Sequence, residues 1–206
     1  MPSKWDAKRD LKALYSAPRG RFVEVDVPSL SYFMVDGKGD PNRAASYREA
    51  VEALYTVSYT LKFLSKQELG RDYVVPPLEA RWWAADYAVF TGRDKEAWCW
   101  SAMILVPDFV PVSARSEAVE RAAKKKALPA LERLRCDTLH EGRCLQTLHI
   151  GPYDDEGPVL AELHEVIVPQ RGLRLRGEHH EVYLSDPRRT APERLRTLLR
   201  QPVEPS

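Results

Sequence analysis

The residues best suited to chemistry sit in one short segment, HHEVYLSD, at positions 179–186. Its alternation reads as a strand, with His180, Val182 and Leu184 on one face and His179, Glu181 and Tyr183 on the other. The second set places a carboxylate beside an imidazole and a phenol. In an apolar cavity a carboxylate resists ionisation, attracts a delocalised organic cation, and can take a proton from water. The plain alternative is an exposed glutamate on a wet sheet face, the usual fate of this residue type. Tyr153, at the end of HIGPY, is a second candidate: its hydroxyl would orient a ligand, or donate a proton to a leaving oxygen while Glu181 activates water. Packing over the Gly-Pro turn is its bland alternative.

Trp82, Trp83, Trp98 and Trp100 are four of the five tryptophans and fall within nineteen residues. Indoles offer large flat area and the best cation–π surface, so they suit the walls of a slot for planar polycycles. They also commonly just fill a core. Alternation sends Trp98 and Trp100 to one face and separates Trp82 from Trp83; Trp100 and one of Trp82 and Trp83 are the expected pocket walls. Tyr55 and Tyr59 are expected to pack against the sheet instead. Neither HxxxH nor HExxH spacing occurs, so no metal is expected, and no cofactor. The chain has no GxSxG elbow and no glycine loop built for phosphates. Its arginine clusters are interspersed with acids, which points to a solvated surface.

These side chains need a scaffold. RFVEVDV (21–27) alternates as a half-buried strand, and residues 32–35 offer a second. A long amphipathic helix is predicted from 44 to about 69, with Gly70 as its stop. Strands follow at 74–84 and 98–106. The order then recurs: a helix over 116–135 broken near Pro129, a strand at 143–150, a helix over 155–168 with acidic residues favouring its positive end, a strand at 174–184, and a closing helix at 191–200. The predicted fold class is α+β. Two tandem strand–helix–strand–strand units, about 20–110 and 111–206, follow a polar lead-in of residues 1–19. They would join their sheets edge to edge as a pseudo-twofold antiparallel sheet, with helices on one face and a ligand groove on the other.

Composition narrows the class. With 31 Lys and Arg against 30 Asp and Glu, a net charge of +1 calls for neither nucleic acid nor an anionic membrane. No apolar run approaches the roughly 20 residues that span a bilayer, and the charged start lacks the apolar block of a signal peptide. Three cysteines without a CxxC fit reduced thiols, so the expected compartment is the cytoplasm. The expected state is a monomer or weak homodimer.

The stretches PLEARWWAAD (77–86), WCWSAMILVPDFV (98–110), LHIGPYDDE (148–156) and HHEVYLSDPRRTAPERLRTLLRQPV (179–203) resemble the GyrI-like small-molecule binding family, and its stand-alone members in particular. One departure is Ala80-Arg81, where a Gly–hydrophobe pair is expected. The resemblance implies two pseudo-symmetric units with the ligand cavity between them, and a pocket role for Glu181. Relatives fused to helix-turn-helix segments look like sensors of drug-like cations; stand-alone relatives include binders of dyes and drugs, and hydrolases of cyclopropane-bearing alkylating toxins. About twenty residues before the first strand are too few for a DNA-binding domain, so no direct nucleic-acid role is expected. Two functions follow: a binder of bulky, planar, often cationic molecules through Trp82, Trp83, Trp100, Tyr153, His179, Glu181 and Tyr183, or a hydrolase with Glu181 and Tyr153 as catalytic residues.

Overall fold

The computed structural model describes residues 4–85 and 94–206. In chain order these form α1 (Ala7–Asp10), β1 (Val23–Val27), β2 (Leu30–Lys38), α2 (Ala45–Glu68), β3 (Leu78–Trp83), β4 (Cys99–Val106) and α3 (Val112–Lys125). Then come β5 (Arg135–Leu139), β6 (Gly142–Ile150), α4, β7 (Leu173–Leu175), β8 (His179–Tyr183) and β9 (Arg196–Pro205). The helix α4 runs as Gly157–Ala161, a π-helical stretch Glu162–Ile167, and Val168–Gln170.

All nine strands join one antiparallel sheet in the order β1-β6-β9-β8-β3-β4-β2-β5, with β7 added on β9. The order is palindromic in the two halves of the chain: each half lends its first strand to the outer edge of the other, β1 on β6 and β5 on β2. At the centre β3 and β8 pair, bringing Ala80 opposite Glu181 and Trp82 opposite His179. The α+β sheet-and-helix architecture is therefore as the sequence implies.

Side-chain alternation sorts the residues to two faces. On one, Phe33, Val35, Trp100, Ala102 and Ile104 pack under Ala50, Leu54, Val57, Leu61 and Leu64 of α2 and the alanines of α3. Leu163 and Val168 of α4 cover Leu145 and Val203 on the same side. Each large apolar side chain so buried contributes about 1.5–3 kcal/mol. The opposite face carries Tyr32, Met34, Met103, Leu105, Val182 and Leu198, and Ala7, Leu14 and Tyr15 close over it. The segment expected as a polar lead-in is thus a lid on the second core.

Three elements, and the side on which the groove lies, differ from expectation. Residues 191–200 make no helix: Pro192–Arg194 is a single turn, and the chain then enters β9. That strand lies between β6 and β8 and is buried on both faces, so its sequence lacks the alternation that marks a strand. The helix expected to 135 ends at Lys125, leaving room for β5. The strand expected over 174–184 is two, separated where Gly177 takes φ +64. The groove lies on the helix-bearing face, between α2 and α4, because the lead-in occupies the other.

Trp100 is completely buried, and its indole lies across the backbone of its partner Gly37. A Cβ at Gly37 would stand 2.2 Å from two indole carbons. Gly37→Ala should therefore destabilise the protein by about 1–3 kcal/mol through overpacking. Thermal melts would read this as a loss of roughly 2–4 °C per kcal/mol. Gly157→Ala, where nothing lies within 4 Å, is the control and should not lower Tm. Equal melts for the two variants would contradict the packing described.

Candidate functional site

The stripe Tyr47, Val51, Tyr55 and Tyr59 recurs every four residues along α2 and faces a cavity of about 1120 Å³. Beneath it lies the β3–β8 seam, which contributes Trp82, His179, Glu181 and Tyr183. Tyr153 and Glu156, just before α4, close the far side. The cavity is thus built where the two halves of the sheet meet.

Its aromatic walls hold one another in place. Trp82 stacks on Tyr47 at 6.1 Å and meets Trp98 edge-on at 5.8 Å. Tyr153 meets Tyr183 edge-on at 5.6 Å. A chain of hydrogen bonds links wall to floor: Trp82 Nε1 donates to Tyr183 Oη at 3.2 Å, and Tyr183 Oη donates to Glu181 Oε2 at 2.7 Å. The other carboxylate oxygen, Oε1, lies 3.4 Å from His179 Nε2. The Glu181 side chain is 13% exposed and that of His179 11%, so both are set back from bulk water. Neither ring nitrogen of His179 makes a well-formed hydrogen bond.

A second carboxyl stands against the first. Glu156 is 4% exposed, and its Oε1 makes no well-formed hydrogen bond. Burial raises its pKa well above the usual carboxylate range, and the charge of Glu181 raises it further, against the hydroxyl of Thr197, which lowers it. Burial, with Glu156 and Glu181 nearby, pushes the Tyr153 phenol up to about 12, so it keeps its proton. Chemically, the floor offers a buried acid, a carboxylate and two phenols under flat aromatic walls. Among the described residues no group of three or more His, Cys, Asp or Glu is placed to hold a metal ion.

Of the residues singled out in the sequence, Trp82, Tyr153, His179, Glu181 and Tyr183 come together here. Trp83 points to the sheet face shared with Glu79, and Trp100 lies in the core beneath α2, edge-on to Tyr47; neither lines the cavity. Tyr55 and Tyr59, expected against the sheet, line it instead, as does Trp98. Glu156 carried no distinguishing signal, since the acidic run DDE reads equally as a favourable helix entry. The four-residue tyrosine spacing was the usable sign for α2.

No helix of the described residues is long and apolar enough to cross a membrane. A family model for the GyrI-like small molecule binding domain matches residues 22–204. The chain is 39% identical to a conserved protein from Listeria innocua, over 98% of this chain and 100% of that one, with a TM-score of 0.88. It is 37% identical to a hydrolase from Listeria innocua over the same shares, with a TM-score of 0.84. EcmrR, solved in a complex with DNA, is 14% identical over 90% of this chain and 58% of its own, with a TM-score of 0.59, a likeness of fold alone. Among curated proteins nothing matches. The chain belongs to the GyrI-like small molecule binding domain family.

Proposed function

We propose that the cavity binds bulky, planar, hydrophobic small molecules, often cationic, of the kind found among drugs, dyes and toxins. The observation that carries this reading is Glu181, a shielded carboxylate on the floor of a cavity walled by Trp82, Trp98, Tyr47 and Tyr55. Aromatic faces and one buried negative charge favour a flat delocalised cation over a small hydrated one, whose desolvation would cost more. Nothing in the reading calls for nucleic acid or more than a monomer or weak homodimer. The free thiols Cys99, Cys136 and Cys144 suit a reducing compartment, and we place the protein in the cytoplasm.

A second reading is favoured by the phenols beside Glu181 and by the likeness to the Listeria innocua hydrolase. In it the cavity holds a cyclopropane-bearing electrophile. Glu181 takes a proton from water, whose oxygen bonds to the ring carbon as the ring C–C bond breaks. The electron pair moves to the conjugated carbonyl oxygen, which is protonated by Tyr153 or solvent.

The test is a titration with rhodamine 6G, followed by tryptophan quenching, alongside incubation with a cyclopropane-containing alkylator. Micromolar dye binding is expected, weakened about 10- to 100-fold in Glu181→Gln, the equivalent of roughly 1.4–2.8 kcal/mol. Product formation that disappears in Glu181→Gln would favour the hydrolase. A Glu181→Gln protein unchanged in both assays would remove this residue from the function.

A further inference from the structure

The site holds one carboxyl more than a charge partner for a cation requires. Glu156 belongs to the turn before α4 and Glu181 to the central strand β8; both line one cavity, and there Glu156 is buried with its Oε1 making no well-formed hydrogen bond. We propose that Glu156 is a specificity-determining residue that exchanges its proton for a cationic ligand, so that binding of cations, but not of neutral molecules, is coupled to proton release. The proposal rests on the cavity being the ligand site.

The groups around Glu156 support it. From β8 it faces Glu181 and Tyr183, with His179 behind Glu181; from β9, Thr197; from its own turn, Tyr153 and Asp154, the last paired with Lys95 at 2.7 Å. Of these groups Lys95 is already paired with Asp154, so it is not free to stabilise a second negative charge within the pair. While Glu156 keeps its proton, the pair carries a single negative charge. A planar monocation seated beside it supplies the missing positive charge, and the Glu156 proton passes to the solvent. The ligand is unchanged covalently, and the cavity and its occupant together keep one negative charge. A neutral ligand offers no such compensation and leaves the proton where it is. Linkage is reciprocal: a cation that weakens the hold on the proton must itself bind more tightly as pH rises toward the raised Glu156 pKa.

The experiment compares rhodamine 6G, a fixed monocation, with Nile red, a neutral planar dye, across pH 5.5–8.5, adding calorimetry at pH 7 in phosphate and in Tris. These buffers differ in ionisation enthalpy, so the difference in heat counts protons released. For the wild-type protein the expectation is a rhodamine 6G affinity that rises with pH, by up to about tenfold per unit. Between a fraction of a proton and one proton should be released per dye, and none with Nile red. In Glu156→Gln both the slope and the release should vanish while rhodamine 6G still binds. A flat wild-type profile with buffer-independent heat would overturn the proposal and leave the binding reading standing, as would proton release undiminished in Glu156→Gln. Failure of rhodamine 6G to bind at any pH would sink the binding reading and this proposal with it.

Discussion

Replacing His180 with alanine is expected to destabilise the fold by about 3–5 kcal/mol, the cost of leaving buried charges without their partner. His180 is fully buried on the sheet face opposite the cavity. Its Nε2 lies 2.9 Å from Glu79, and its Nδ1 lies 3.0 Å from both oxygens of Glu141. Arg200 reaches Glu141 at 3.2 Å and donates to the carbonyl of Leu14 at 2.5 Å; Tyr15 donates to Glu79 at 2.5 Å. The network therefore ties the N-terminal lid to β3, β8 and β9 and to the turn before β6, and His180→Ala loosens the lid as well as the sheet. Burial alone would lower the His180 pKa, but Glu141 and Glu79 outweigh it and the net shift is upward from 6.5. A raised imidazole adds stability that is complete below its unfolded value and lost as pH climbs through the folded one. Burial would raise Glu141, yet His180 and Arg200 bring it from 4.5 down to about 2. Its contribution is present above 4.5 and fades as pH falls toward 2. The network thus stabilises most between about pH 4.5 and 6.5. Urea melts across pH 2.5–9 check this: Glu141→Gln should flatten the acid limb, and a His180→Ala protein as stable as wild type at pH 6 would refute the assignment.

Much of this was legible because local rules and tertiary demand agree. VEVDV alternates and makes an edge strand, half exposed; α2 keeps its apolar stripe over six turns and ends where Gly70 takes φ +65. The HHEVY alternation correctly divides His180 and Val182 from Glu181 and Tyr183, since the two sets enter different environments. What failed did so where the environment is the same on both sides, or is set by distant chain. TLLRQPV, buried on both faces, has no period to read. Trp98 and Trp100 share a face, and what separates them is Gly37, which lets one indole lie flat in the core while the other reaches the cavity. Leu14 and Tyr15 look like an interruption in a polar lead-in until the second core that they cover is built. Glu156 is one of three consecutive acids, and the single turn Tyr153–Asp155 decides which of them turns inward.

Trp82→Ala should show the cavity's two roles at once. The side chain is 5% exposed, so its loss empties a large volume beneath Tyr47 and should cost about 3–5 kcal/mol of stability. It also removes a wall, and with it a cation–π contact worth about 0.5–2 kcal/mol, or roughly 2- to 30-fold in rhodamine 6G affinity. A third effect follows from the hydrogen-bond chain. Without the Trp82 Nε1 donor, Tyr183 Oη loses a partner that orients its own hydrogen bond to Glu181 Oε2. Trp82→Phe separates these: it restores a ring against Tyr47 without the N–H, so stability and most of the dye affinity should return. Tyr183→Phe removes the bond to Glu181 while leaving the wall intact. If any turnover is measured, it should fall in Trp82→Phe and Tyr183→Phe alike, because both disturb the carboxylate while sparing the aromatic slot. A Trp82→Ala protein that binds the dye as tightly as wild type would move the ligand outward, toward Tyr59, Pro76 and Pro77 at the cavity's other end, and away from the carboxyl pair.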